Sequence, residues 1–150
     1  MTEAVATREF TLTRVFNAPR NLVYRSWTDP DDATHWWGPK NFTTPRDTMS
    51  FDVRPGGQWQ ACMVNDATGE QFPSSGVYRE VVPGERLVFT WGRQGDPEED
   101  KPVVTIELTD QGEQTQMVFH LVGHLAEGDL LDMEDGWSEC IARSMTHLSR

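Results

Sequence analysis

The spacing of apolar residues predicts β-strands over most of this chain. Between Thr7 and Phe16, the apolar residues Phe10, Leu12 and Phe16 share one parity, which is typical of a strand with one buried face. From residue 42 to residue 123 the apolar runs are short and end at Gly, Pro or Asp, which indicates an antiparallel meander. The strands expected in this meander are Phe42–Arg46, Ser50–Arg54, Gly57–Val64, Gly76–Val82, Arg86–Trp91, Val103–Leu108 and Thr115–Val122.

Two short helices are expected between the first strand and the meander. Asn17 can cap the first helix, and Pro19 fits its first turn because the missing N–H of proline has no partner there in any case. The pair Asp29–Pro30 ends this helix after about ten residues and begins the second. The second helix continues to Trp36 or Trp37.

A long amphipathic helix is expected from Asp129 to Ser149. Acidic residues crowd its first turns and basic residues its last turns, which suits the helix dipole. Its apolar stripe consists of Leu130, Met133, Trp137, Ile141 and Leu148. The element order predicts an α+β fold in one domain over residues 1–150, with a long antiparallel sheet and a long C-terminal helix.

Composition and charge exclude several classes of partner. Lys and Arg number 13 against 24 Asp and Glu, which gives a net charge of −11. Nucleic acids and acidic membrane surfaces are therefore not expected as partners, since both attract clustered cations. No apolar run approaches the roughly 20 residues of a membrane span, and residues 1–9 lack a secretory signal pattern. The two cysteines, Cys62 and Cys140, look like reduced core thiols, so a cytoplasmic location is expected.

The sequence offers no metal, cofactor or nucleophile motif. His120 and His124 have the spacing of zinc ligands on a helix, but they lie in a predicted strand, where four residues span about 13 Å. No third ligand is near, so structural histidines are the better interpretation. A nucleophile elbow, a paired-cysteine motif, a phosphate loop and a dinucleotide fingerprint are all missing from the sequence. We therefore expect no metal and no cofactor, and assign no catalytic residue.

Aromatic residues are the remaining candidates for a binding site. Three tryptophans fall within residues 27–37, and three predicted strands carry aromatic or sulfur residues on one face. Apolar walls with a few polar groups are typical of ligand sites, and His120, Arg14 and Tyr78 could supply those groups. The same apolar residues could instead form a solid core. The pattern alone leaves both interpretations open.

Several short motifs of this chain resemble those of one known family. They are Phe16-Asn-Ala-Pro-Arg20, Trp27-Thr-Asp-Pro30, Trp36-Trp37-Gly-Pro39, Asp52-Val-Arg-Pro-Gly-Gly57, Gly76-Val-Tyr78, Pro83-Gly-Glu-Arg-Leu87-Val-Phe-Thr-Trp91 and Gly136-Trp137. Together they resemble the activator of heat-shock-protein-90 ATPase homologue-like family, within the START-like (SRPBCC, helix-grip) superfamily. The resemblance implies a curved antiparallel sheet that grips the C-terminal helix, with two small helices closing a deep cavity.

The resemblance implies three kinds of function. Superfamily relatives bind lipids, polyketides, hormones or aromatic compounds, so the leading hypothesis is a non-enzymatic binder of a small hydrophobic or aromatic molecule. A second is a cyclase or hydrolase that uses His120, Glu107 or Arg14 in the same cavity. A third is a chaperone-regulating protein-interaction module, and a homodimer is compatible with such a domain. The residues expected to line the cavity are Trp27, Trp37, Phe42, Trp59, Met63, Phe89, Trp91, His120 and Trp137.

Overall fold

One curved antiparallel sheet carries most of the chain, and a long helix packs against it. The computed structural model describes residues 4–149; residues 1–3, where the segment considered for a signal peptide begins, and residue 150 lie outside the described residues. The helices are α1 (Arg20–Thr28), α2 (Pro30–Ala33) and α3 (Glu127–Leu148), and short 3₁₀ turns cover Arg46–Thr48 and Glu98–Asp100. The strands are β1 (Val5–Phe16), β2 (Phe42–Thr43), β3 (Ser50–Phe51), β4 (Gln58–Asn65), β5 (Gln71–Val82), β6 (Arg86–Thr90), β7 (Gly92–Arg93), β8 (Val103–Gln111) and β9 (Gln114–Ala126).

The first strand pairs with the last at one edge of the sheet. Its order is β1-β9-β8-β6-β5-β4-β2, with β3 also beside β4 and β7 beside β5. β1 and β9 pair along the whole of β1, from Val5 opposite Ala126 to Phe16 opposite Thr115. The predicted α+β helix-grip architecture is confirmed.

The core lies between the inward face of the sheet and α3. In β9, Met117, Phe119 and Leu121 are fully buried because alternate residues of a strand point to the same face. α3 buries Trp137 and Ile141 against that face, together with Cys140 and Ser144. Burying each large apolar side chain stabilises the fold by about 1.5–3 kcal/mol. No helix among residues 4–149 has the length and apolar content that a bilayer crossing needs.

The two short helices form, but their ends differ from the sequence prediction. Asn17 does not cap α1; Pro19 occupies that position, and the Asn17 Oδ1 accepts a hydrogen bond from Gln114 of β9 at 2.7 Å. Asp29 caps α2 by accepting a hydrogen bond from the Asp31 N–H. α2 ends at Ala33, before the predicted end at Trp36 or Trp37, and the N–H groups of residues 36 and 37 both donate to the Ala33 carbonyl in the turn that follows.

The sheet extends further in some places than predicted and less in others. β5 begins at Gln71, so Ser74 and Ser75 are strand residues paired with β4 and not a turn before it. The backbone N–H and C=O groups of these two serines are hydrogen-bonded within the sheet whatever their side chains are, so two polar residues do not end the strand. By contrast, the strands predicted at Phe42–Arg46 and Ser50–Arg54 each contain two strand residues.

A single guanidinium fastens the loop between α2 and β2 to the long helix. The Arg143 Nη1 of α3 donates to the carbonyl oxygens of Gly38 at 2.7 Å, Pro39 at 3.1 Å and Phe42 at 3.3 Å. Hydrogen bonds from a charged donor are stronger than neutral ones, so this contact fixes the loop that immediately follows Trp37.

Gly76 is required by a close approach between strands, and Gly136 is not. A methyl group at residue 76 would collide with the backbone oxygen of Thr90, whereas one at residue 136 would meet no atom within 4 Å. We expect Gly76→Ala to lower the free energy of unfolding by about 3 kcal/mol through overpacking. Gly136→Ala should raise it by about 0.5–1 kcal/mol, since alanine favours a helix. Urea unfolding of both variants checks the two signs; equal effects would contradict the assigned environments.

Burial of Cys140 makes stability fall at alkaline pH. Desolvation raises the pKa of the Cys140 thiol to about 12, against about 8.5 for an unfolded cysteine. The thiol contributes fully below about pH 8.5, and its contribution is lost as the pH rises toward 12, because only the unfolded chain ionises there. Between pH 8 and pH 10 the wild type should therefore lose about 2 kcal/mol from this group.

A cysteine comparison isolates that contribution. Urea unfolding at pH 8 and pH 10 should show a smaller pH-dependent loss in Cys140→Ser than in the wild type. Cys62→Ser, whose site is only half-buried, is the matched control and should keep the wild-type loss. The same pH dependence in both variants would contradict the assignment to Cys140.

Candidate ligand site

A continuous cluster of aromatic rings occupies the space between the sheet and α3. Trp137 of α3 lies at its centre, with ring centroids 4.9 Å from Phe119, 5.3 Å from Trp91, 5.8 Å from Trp37 and 5.9 Å from Trp27. Such distances suit the edge-to-face and offset arrangements that aromatic pairs favour. One indole of the long helix thus contacts the sheet, α1 and the turn after α2.

Different elements deliver the rings to this cluster. α1 supplies Trp27, and the turn after α2 supplies Trp37. On the sheet side, Trp59 of β4 lies 5.2 Å from Trp37 and 5.9 Å from Phe89 of β6. Trp59 and Phe89 are on the inward parity of their strands, and Trp27 is on the inward face of its helix. The cluster therefore follows from the same alternation that builds the core.

The structure brings together most of the residues predicted to line a cavity. Trp27, Trp37, Trp59, Phe89 and Trp137 are buried in the cluster. Two half-buried members of the predicted set lie at its edges: Trp91 packs against Trp137, and Met63 lies beside Gly38. Phe42, which was also predicted to line the cavity, lies outside the cluster and makes an edge-to-face contact with Phe72 at a centroid distance of 5.7 Å.

The structure adds ring residues that the sequence analysis did not include. Phe51 borders the cluster from the two-residue strand β3, where no alternation could be seen. Trp36 packs on Trp27 at 4.6 Å. Phe119 had a visible signal, since it shares the parity of Met117 and Leu121 in β9.

His120 does not belong to this site. It alternates with Phe119 and Leu121, which face inward, so its imidazole lies on the outer face of the sheet. There its side chain is 31% exposed, and its Nε2 lies 3.3 Å from the Glu9 Oε1. The expectation that His120 orients a ligand inside the cavity is therefore corrected.

The three residues considered for catalysis do not converge on one cavity. Glu107 is on the outer face with His120, and its Oε1 accepts a hydrogen bond from Arg86 at 2.6 Å. Arg14 reaches the side of α3, where its Nη2 donates to the Ser138 Oγ at 3.4 Å. A shared acid, base and anion anchor, as the cyclase or hydrolase alternative requires, is not formed by this set.

The interior is filled rather than open. The void inside the cluster measures about 10 Å³ and is bounded by the aromatic side chains Trp27, Trp37, Phe51, Trp59, Tyr78 and Phe89. This volume is at the lower limit for a single water molecule. The deep cavity implied by the family resemblance is therefore closed by side chains. Clefts of about 470 and 450 Å³ lie at the surface, lined largely by polar residues.

Four indole N–H groups of the cluster fall into two classes. Trp36 donates to the Ser26 carbonyl at 3.1 Å, and Trp59 donates to the Thr90 carbonyl at 3.0 Å. Trp27 and Trp137 are only 2% and 4% exposed, yet within residues 4–149 their N–H groups have no hydrogen-bond partner. A buried donor left unpaired costs about 1–3 kcal/mol, so two such groups call for an explanation.

The side chains that bound the void carry no charge. The six side chains that bound it are aromatic, and burial raises the pKa of the Tyr78 hydroxyl well above its usual range, so it stays protonated. Lys101 is buried elsewhere and pairs with Glu98 at 2.6 Å. Within residues 4–149, no group of three or more His, Cys, Asp or Glu side chains could hold a metal ion.

Comparisons with known proteins agree with this fold. The model of the Activator of Hsp90 ATPase homolog 1-like protein family matches residues 17–149. A solved protein from Chromobacterium violaceum is 24% identical, with 95% of this chain and 97% of that chain covered and a TM-score of 0.83. One from Nitrosomonas europaea is 26% identical, with 94% of each chain covered and a TM-score of 0.79.

A third solved structure is named for the same family. The AHSA1 protein from Silicibacter pomeroyi is 23% identical, with 95% of this chain and 98% of that chain covered and a TM-score of 0.83. The comparison with curated proteins gives no match. The family match over residues 17–149 confirms the resemblance seen in the motifs, and the chain therefore belongs to the Activator of Hsp90 ATPase homolog 1-like family, with the helix-grip fold of the START-like superfamily.

Proposed function

We propose that this protein binds a small hydrophobic or aromatic molecule between the sheet and α3. The observation that carries the proposal is the small void at the centre of the grip, whose boundary consists of six aromatic side chains. Aromatic walls offer large apolar area and stacking geometry to a planar guest. The fold of the family supports a ligand-binding domain. The void lies among the aromatic rings inside that fold.

Binding requires the rings to move, because ligand pockets usually measure about 300–1,000 Å³. The first half of α3 is the less buried half of that helix. The buried residues of α3 are Trp137, Cys140, Ile141 and Ser144, which all follow Gly136, and residues 127–136 include none. Segments with few buried contacts open at the lowest free-energy cost. The first half of α3 and the Trp137 indole are therefore the parts that would move to admit a guest.

The protein-interaction alternative stays a prediction. Its basis is the net charge of −11, which would favour a basic surface on a partner. Such binding should weaken steeply as salt rises, whereas binding of a neutral aromatic molecule in the interior should change little.

Binding in the interior can be tested through intrinsic tryptophan fluorescence. Titration of the wild-type protein with naphthalene, biphenyl and xanthone should give saturable quenching, because an aromatic guest would lie against several of the six tryptophans. The response should persist from low to moderate salt. Failure of all three probes to bind would contradict the proposed function.

A pair of phenylalanine variants locates the binding. Phe51 and Phe42 are both half-buried, but only Phe51 borders the void, while Phe42 makes an edge-to-face contact with Phe72. Phe51→Ala should enlarge the void and tighten binding of the best probe several-fold. Phe42→Ala should leave the affinity within about twofold of the wild type, because Phe42 does not border the void and sites that share no partner are only weakly coupled. Equal changes in both variants would place the probe elsewhere.

A further inference from the structure

We infer that the interior ligand is uncharged and presents a hydrogen-bond acceptor, such as a carbonyl oxygen, to the indole N–H of Trp27 or Trp137. This inference rests on the proposed function and names the chemical class of the ligand. An indole N–H can only donate, so its missing partner must be an acceptor.

The two unpaired donors belong to one stack inside the grip. The Trp27 and Trp137 rings are 5.9 Å apart with an interplanar angle of 29°, and Trp27 borders the void. Their neighbours show that this fold pairs an indole N–H when a carbonyl is within reach. Trp36 and Trp59 both donate to backbone oxygens. A guest that separates the stacked rings would lie next to both unpaired donors, and its acceptor atom could replace the missing carbonyl.

The surroundings of the void exclude a charged ligand. None of the side chains that bound the void is charged, and an unpaired charge of either sign in such an environment is strongly disfavoured. The buried ammonium of Lys101 is already taken by Glu98 at 2.6 Å and Ser75 at 3.2 Å. A hydrocarbon, or a ligand whose only polar group is a donor, would leave both indoles unpaired. Ketones, lactones and similar neutral carbonyl compounds fit the site.

A matched pair of probes tests the acceptor directly. The ketone 2-acetylnaphthalene and the hydrocarbon 2-isopropylnaphthalene have nearly the same shape, and only the first carries an acceptor. We expect the wild-type protein to bind the ketone at least tenfold more tightly. In a ¹H–¹⁵N spectrum of the six indole groups, the signal of Trp27 or Trp137 should move downfield with the ketone and not with the hydrocarbon. Trp→Phe variants assign these signals.

An isosteric replacement separates the hydrogen bond from packing. Incorporation of 3-benzothienylalanine at position 27 or 137 keeps the ring shape and removes the N–H. At one of these positions the advantage of the ketone should fall to about twofold or less. The same replacement at position 36 is the control, because the Trp36 N–H is already paired with the Ser26 carbonyl, and the advantage should persist there.

The outcomes distinguish this inference from the proposed function. Equal affinity for the ketone and the hydrocarbon would overturn the acceptor inference and leave interior binding intact. An advantage of the ketone that survives replacement at both position 27 and position 137 would also overturn the inference. Binding of neither probe would overturn the proposed function together with the inference.

Discussion

The insertion of the Trp137 ring between the short helices and the inward face of the sheet is the contact on which the rest of this structure depends. The indole touches rings from α1, from the turn after α2 and from β9, so it joins elements that are distant in sequence. Arg143 adds a polar fastening two turns later on the same helix. Because interiors pack as tightly as organic crystals, the position of this one ring determines how much space the grip contains.

The same contact connects stability with function. Ring-on-ring packing stabilises the closed grip, while two buried donors without partners oppose it. A structure optimised for stability alone would pair or remove those donors, as it does at Trp36 and Trp59. Strain of this kind is commonly retained at functional sites, where a ligand can relieve it. The filled core and the proposed binding site therefore consist of the same side chains.

Much of the fold could be predicted from sequence, but the state of the interior could not. Alternation in β9 and the helical stripe of α3 are local patterns, and both identified their buried faces correctly. Because neighbouring residues of a strand point to opposite faces of the sheet, the same alternation directs His120 away from the face that carries Phe119. The sequence pattern therefore already argued against His120 as a residue that lines the cavity. Ser74 and Ser75 concealed the start of β5, because strand pairing depends on the backbone. Whether indoles fill a cavity depends on rotamers and on packing from distant elements, which no local pattern encodes.

The pairing of β1 with β9 has a consequence for biosynthesis. β1 is synthesised before the other strands of the sheet, yet its hydrogen-bonding partner β9 lies about a hundred residues later in the chain. Until β9 has been synthesised, both edges of β1 are therefore available to foreign strands, whereas in the folded sheet β9 covers one of them. Proteostasis machinery that shields nascent chains would act on this segment in particular, because its pairing depends on a strand that is made much later.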